Sequence, residues 1–211
     1  MPTADDNAAM ETYKSIIEEA LLRVHSIDAM LRKSPGLRPT FIREYCFLQL
    51  RLLCELIALG CLVCHGDIPA SKTKAFQKAW VPGEILKKLQ DLHPDFYPVP
   101  FVMEDTPSGH HLGDYKDEYL TKDDLLALWS RSGDILHRGN LRKLLKVKML
   151  ETLRSDDIIK WNQKILNLLQ HHRVSRSGNN FHFLVNVNHP VLTPDTAMFT
   201  VQVAIAESPK K

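Results

Sequence analysis

The feature that most limits the fold of this chain is a long apolar run from about Thr40 to His65. Apolar residues fall on nearly every side of the helix that this run would form: Phe41, Ile42, Tyr45, Phe47, Leu50, Leu53, Leu56, Ile57, Leu59 and Leu62. A helix that is apolar almost all round is expected inside a helical bundle or at a subunit interface. Gly66 is expected to end it.

Charged residues interrupt the same run. Because Arg43, Glu44, Arg51 and Glu55 lie between Phe41 and Val63, we expect that the helix does not span a membrane. Arg51 and Glu55 are one turn apart, which predicts an ion pair within the helix on a solvated stripe. The alternative is that one of these two residues supports an active site.

Further segments have apolar residues spaced at threes and fours, which predicts amphipathic helices. They begin near Met10, Thr121, Asn140 and Ser155, and two shorter helices are expected at 72–80 and 82–93. We therefore predict one mainly α domain over residues 1–211, with a helical bundle at 10–172.

Two segments differ from this helical pattern. Residues 94–120 are rich in proline, which predicts an irregular excursion with a short extended piece at Val99 to Met103. Residues 180–206 alternate between apolar and other side chains, which predicts a small C-terminal β-hairpin with one apolar face. A lone ribbon is marginal in water, so that face is expected to pack on the helices or on a second subunit.

The N-terminus and the cysteine usage favour a cytoplasmic protein, whereas the overall charge bears only on nucleic-acid binding. The net charge of +2 is too small to indicate nucleic-acid binding over the whole surface, so any such site must be local. The N-terminus lacks the basic-then-apolar pattern of a signal peptide. The cysteines at 46, 54, 61 and 64 crowd into one helical run, which fits buried thiols better than a disulfide framework.

Two groups of residues have the composition of metal or haem sites. Cys61, Cys64 and His65 have the spacing of c-type haem attachment, and they could supply three zinc ligands. Because no export signal and no second cysteine pair accompany them, we interpret them as two buried residues followed by a histidine that the helix dipole favours. The other group lies in a hydrophilic loop: His110, His111, Asp114, Asp117 and Glu118. We predict neither a metal nor a cofactor, and no glycine-rich phosphate loop is present.

The helix that begins at Thr121 carries the residues best suited to catalysis. Thr121 and Asp124 resemble a capping box, and Gly139 is expected as the C-cap. Arg131 and His137 lie near the end of this helix. A basic run follows at once and includes Arg138, Arg142, Lys143 and Lys146. These four residues could hold a phosphate backbone beside the site, or they could face water.

In this helical setting the segment Arg131-Ser-Gly-Asp-Ile-Leu-His137 resembles the R-x(4–6)-H motif of the HEPN superfamily, whose members are helical bundles. The resemblance covers the helices at about 40–66 and 121–153. It implies a metal-independent endoribonuclease in which Arg131 binds phosphate and stabilises the transition state, while His137 is the acid or base. Asp134 would orient His137 or pair with Arg138. At the position directly after the motif arginine the family commonly has Asn, Asp or His, whereas this chain has Ser132.

The resemblance also implies how the site is assembled. On an ideal helix Arg131 and His137 point about 120 degrees apart, at ~100 degrees per residue, so two subunits are expected to complete the site. A homodimer is also favoured by the apolar surface of Phe41 to Val63. The expected partners are single-stranded RNA and, for a toxin or defence role, an antitoxin-type protein.

A second interpretation needs no catalysis. Helices often end with histidine or arginine in the last turn and glycine beyond, so His137, Arg138 and Gly139 are also explained as a helix end. The chain would then be a non-catalytic helical module for dimerisation, or for binding a protein or nucleic acid through its basic helix.

Overall fold

A computed structural model describes residues 3–33, 36–66, 68, 74, 78–106, 109–137, 154–176, 181–193 and 196–207. The helices in these ranges are α1 (Ala4–Lys33), α2 (Pro39–Cys64), α3 (Pro82–Leu92), α4 (Lys122–Leu136) and α5 (Asp156–Gln170). The strands are β1 (Val99–Thr106), β2 (Gly109–Asp114), β3 (His171–Ser175), β4 (Phe181–Thr193) and β5 (Thr196–Glu207). The prediction of a mainly α fold is confirmed.

The apolar run forms the central helix α2, which packs against α1, α3, α4 and α5. Phe47, Leu50 and Leu53 on α2 are fully buried, while Phe41 and Leu48 are 43% and 42% exposed. All four cysteines lie in it as buried thiols that form no disulfide, which confirms the expectation of buried thiols.

By length and composition, α2 is the one helix in the described ranges that could cross a membrane. Half of its most apolar stretch is buried inside the protein. The expectation that its charges exclude a membrane span was therefore too strong on composition alone. Because a helix at the centre of a bundle meets the same criteria, the finding is weak evidence for a membrane.

The β structure is larger than the predicted hairpin. The hairpin itself is confirmed as β4 and β5, but these strands belong to a five-stranded antiparallel sheet in the order β2-β1-β3-β4-β5. The inward residues of β3, β4 and β5 join the same core as the helices: Val174, Phe183, Val185, Val187 and Val201. The apolar face of the hairpin thus packs on the helices, chiefly on α1 and α5.

Two sequence-based assignments near the sheet were wrong. The helical bundle was predicted to continue to residue 172. The last helix, α5, instead ends at Gln170, and β3 begins at His171. The excursion at 94–120 contains the hairpin β1–β2, whereas only Val99 to Met103 was expected to be extended. β2 carries one apolar side chain, Leu112, so its pairing with β1 decides its conformation.

Local capping chemistry explains where α4 and α1 begin. The predicted capping box at the start of α4 is confirmed, since the Asp124 backbone N–H donates to Thr121 Oγ1 and the Thr121 backbone N–H donates to Asp124 Oδ2. Thr3 and Asp6 cap α1 in the same way, which explains why it begins at Ala4 rather than near Met10.

The end of α4 differs from the expectation. The helix ends at Leu136 and His137 is its C-cap, two residues before Gly139. Gly139, the helix expected from Asn140 and most of the helix expected at 72–80 lie outside the described residues.

Candidate functional site

Arg131 lies on α4 and contacts the start of α5. Its Nη2 donates a hydrogen bond of 2.5 Å to Asp157 Oδ2. Arg43 on α2 donates to both oxygens of the same carboxylate, at 2.9 and 2.6 Å. Arg43 also donates to the backbone carbonyl of Arg154, at 2.8 Å. We call Arg43, Asp157 and Arg131 the arginine–aspartate triad, and it joins three helices.

The charges of the triad do not balance, because two guanidinium groups share one carboxylate. The hydrogen bond from Arg43 holds the pKa of Asp157 below its usual value, and the charges of Arg43 and Arg131 and the Ile158 backbone N–H act in the same direction. Asp157 is therefore ionised at neutral pH, and the triad carries one excess positive charge.

An aromatic ring positions both guanidinium groups. The Cζ atoms of Arg43 and Arg131 lie 4.7 and 5.8 Å from the ring centroid of Phe47, a distance at which the ring attracts a cation. The Arg131 side chain remains 48% exposed, whereas that of Arg43 is 15% exposed. Arg131 is thus the member of the triad that solvent, or an anionic ligand, reaches most readily.

His137 lies at the end of α4 and its side chain is exposed. Its backbone N–H donates to the Gly133 carbonyl at 2.9 Å, which closes the last turn. Within the described part of the chain, no hydrogen bond or ion pair joins the His137 side chain to Arg131. Asp134 is exposed between them on the same helix. Its assigned roles stay predictions, as do those of Arg131 and His137.

The predicted nucleic-acid contacts Arg138, Arg142, Lys143 and Lys146 lie outside the described residues. The described site therefore consists of the triad and of His137 at the end of α4.

The predicted ion pair between Arg51 and Glu55 is present, with Nε and Oε1 separated by 3.3 Å. It is not a solvated stripe, because Trp129 of α4 covers it. The Trp129 indole N–H donates to Glu55 Oε1 at 3.0 Å, and Arg51 Cζ lies 4.2 Å from the Trp129 ring centroid. A Cβ on Gly133 would lie 2.9 Å from Arg51 Nη1, so the glycine makes room for this guanidinium.

His65, which follows Cys61 and Cys64, links two elements of the fold through hydrogen bonds. His65 is fully buried, with Nδ1 2.7 Å from the Cys61 carbonyl oxygen and Nε2 2.9 Å from that of Ser175. Both ring nitrogens are thus directed at backbone carbonyls, and the ring joins the end of α2 to β3. Among the described residues, no group of three or more His, Cys, Asp or Glu side chains is arranged to hold a metal ion.

Sequence reasoning missed Arg43 and Asp157. Asp157 lies in the first turn of the helix that was expected from Ser155 but was not singled out, and Arg43 was considered only as a charge within an apolar run. Because they are 114 positions apart, no spacing pattern in the sequence predicts their contact.

A scan of the chain against models of protein families, a search of curated proteins and a search of solved structures each found no match. The resemblance to the HEPN superfamily therefore rests on Arg131, His137 and their helical setting.

Proposed function

We propose that this protein is a HEPN-like, metal-independent endoribonuclease that acts as a homodimer. The observation that carries the proposal is the state of Arg131, which is half-exposed and oriented by Asp157 within a site of excess positive charge. The role of a toxin or defence protein, and an antitoxin-type partner, come from the resemblance alone.

Arg131 has the donors that a phosphate needs. A guanidinium has five N–H donors, and Asp157 engages Nη2 of Arg131. Nη2 has two N–H groups, and Asp157 accepts from one of them. The other lies beside an N–H of Nε or of Nη1, which no acceptor engages within the described residues, so that pair of donors could bind a phosphate in a bidentate manner. Asp157 and the Phe47 ring hold the guanidinium in place, which lowers the entropy lost on binding.

His137 would move the protons of the reaction. The imidazole takes the proton of a ribose 2′-hydroxyl, and the 2′ oxygen then attacks the adjacent phosphorus. The bond to the 5′ oxygen breaks, and the protonated imidazole gives its proton to that oxygen, directly or through water. The products are a 2′,3′-cyclic phosphate and a free 5′-hydroxyl, so the step needs no metal and no other reactant. Arg131 would stabilise the negative charge that grows on the phosphoryl oxygens.

A second subunit would bring the two groups together. Arg131 and His137 are separated by about 9 Å along the axis, at ~1.5 Å per residue, in addition to their different directions around the helix. Phe41 and Leu48 are exposed and seven positions apart, so they share one stripe of α2. This apolar stripe is a candidate surface for the homodimer.

The test is to incubate the protein with single-stranded RNA in the presence of a chelator. We expect fragments that end in a 2′,3′-cyclic phosphate, and we expect Arg131→Ala and His137→Ala each to slow their formation at least about 10²-fold. Arg32→Ala and His111→Ala are matched controls, because both residues are exposed and lie outside the site. No cleavage by the wild type, or cleavage by both site variants at the wild-type rate, would contradict the proposal.

A non-catalytic binding module is the second candidate. It is favoured by the ion pair between Arg131 and Asp157, which explains Arg131 as a structural link between α4 and α5. In that case the wild type would bind RNA or protein without cleaving RNA, and Arg131→Ala would lower the stability of the fold.

A further inference from the structure

A cavity of about 430 Å³ lies on the sheet, apart from the triad. Its floor comes from three neighbouring strands. Val99 of β1 pairs with Arg173 of β3, and Ser175 of β3 pairs with His182 of β4. Directly paired residues of antiparallel strands lie on the same face of a sheet. All four residues therefore lie on one face and line the cavity.

This face is the one turned away from the helical core. His172 and Val174 alternate with Arg173 and Ser175 along β3, and both are fully buried. Arg173 is exposed, so its guanidinium lies on the opposite face. Lys122, the first residue of α4, adds a second cation to the lining.

The cavity has an excess of positive charge. Lys122 and Arg173 face one carboxylate in the lining, that of Asp95. The Lys122 ammonium donates to Gln90 Oε1 and lies 5.7 Å from the Phe96 ring centroid, which leaves two of its three N–H donors for a ligand. Burial and the charge of Arg173 lower the pKa of His182, so His182 is neutral at pH 7 and offers a hydrogen bond rather than a charge.

The remaining lining suits the body of a small molecule. Val99 is 43% exposed, and Tyr97 is held in place by the hydrogen bond of 3.0 Å that its hydroxyl donates to the Leu120 carbonyl. A volume of this size is in the range of small-molecule sites, which runs from about 300 to 1,000 Å³. Convergent cations on one side and apolar surface on the other match a ligand with one anionic end.

We propose that this cavity binds a small phosphorylated ligand of nucleoside-monophosphate size, with its phosphate held by Lys122 and Arg173. A guanidinium fork, an ammonium and the Ser175 hydroxyl together supply enough donors for the oxygens of a phosphate. Tyr97 and Val99 contact the rest of the ligand. This site is independent of the proposed ribonuclease activity, since Lys122 is about 13 Å from Arg131 along α4, at ~1.5 Å per residue.

Isothermal titration calorimetry on the full chain, without RNA, tests the proposal with three probes: AMP, adenosine and inorganic phosphate. We expect AMP to bind with a Kd below about 1 mM and more tightly than inorganic phosphate, and adenosine to show no measurable binding. Arg173→Gln and Lys122→Gln are each expected to weaken AMP binding at least about tenfold, since each removes a charged hydrogen bond.

Arg32→Gln is the matched control, because Arg32 is exposed on α1 and outside the cavity lining, and it should bind AMP as the wild type does. Two variants on different elements keep the test valid if one of them does not fold, as judged by circular dichroism. Absence of AMP binding, equal affinity for AMP and adenosine, or undiminished affinity in the folded variants would overturn the proposal.

Discussion

Asp157 accepts a hydrogen bond at each of its carboxylate oxygens from Arg43, at 2.9 and 2.6 Å. Such a bidentate pair is stronger and more directional than a single hydrogen bond. It fixes the start of α5 against α2, and Arg131 of α4 joins it at 2.5 Å. The same contact that makes Arg131 a candidate phosphate ligand is therefore part of the packing of three helices.

Replacement of Asp157 by asparagine should lower the free energy of unfolding by about 2 kcal/mol at pH 7, because both guanidinium groups lose their shared anion. Since the pKa of Asp157 is lowered in the folded state, its contribution is complete above the unfolded-state value of about 3.9 and is lost as the pH falls through the folded-state value. Urea denaturation at several pH values measures this difference.

The control for that experiment is Asp91→Asn, because Asp91 is exposed near the end of α3. It should change the free energy of unfolding by less than about 0.5 kcal/mol. Equal losses in the two variants would show that the triad does not stabilise the fold.

The kinetic effects of the site variants should differ in size if the protein cleaves RNA. His137→Ala removes general acid–base catalysis and should lower kcat about 10²–10⁴-fold. Arg131→Ala should lower kcat about 10²–10³-fold. Arg131→Lys should lower kcat less, because lysine keeps the positive charge but lacks the paired N–H donors of the guanidinium. Single-turnover rates with a defined RNA measure these losses, and a full rate in Arg131→Lys would argue against bidentate phosphate binding.

His172 should make the protein less stable as the pH falls from 6.5 to 4. Burial lowers its pKa from 6.5 to about 4, so between these values the unfolded chain binds a proton that the folded protein excludes. The free energy of unfolding is therefore highest, as far as His172 is concerned, above pH 6.5, and it falls by about 3 kcal/mol as the pH drops to about 4, at ~1.4 kcal/mol per pKa unit. Thermal unfolding across this range should show a smaller pH dependence in His172→Gln than in the wild type.

The partner of His172 offers a second check. Nδ1 lies 3.2 Å from the Leu169 carbonyl, which can only accept, so the proton of the neutral ring is on Nδ1. Nε2 then accepts a hydrogen bond of 2.7 Å from the Tyr13 hydroxyl. Tyr13→Phe would leave Nε2 buried without a partner and should cost about 1–3 kcal/mol. A neutral effect of Tyr13→Phe would contradict this assignment.

Two glycines in helices should respond oppositely to alanine. A Cβ on Gly60 of α2 would lie 2.8 Å from Tyr13 Cε2, a ring packed in the core, so Gly60→Ala should lower the free energy of unfolding by about 1–3 kcal/mol. At Gly83 of α3 the nearest atom is Leu126 Cδ2 at 3.7 Å, an ordinary contact. Gly83→Ala should therefore stabilise the protein, by up to about 1 kcal/mol. Urea denaturation of both variants measures the sign of each change in the free energy of unfolding. A stabilised Gly60→Ala would show that the Tyr13 ring can move aside at little energetic cost.

Some elements could be predicted from the sequence because their causes are local. The apolar spacing that defines α2, the capping box of Thr121 and Asp124, and the alternation along β4 and β5 each involve residues a few positions apart. The burial of the four thiols followed from the same helical pattern. In these segments local geometry alone decides which side chains face inward.

The remaining features depend on residues that are distant in the chain. β3 is a strand because β1 and β4 pair with it on either side. His172 on its inward face contacts Tyr13, which is 159 positions away. The triad likewise spans 114 positions between Arg43 and Asp157. The sequence by itself determined the helices, the hairpin and the motif of Arg131 and His137. Only the tertiary structure decided that Arg131 meets Asp157, since a contact between distant segments depends on how the whole core packs.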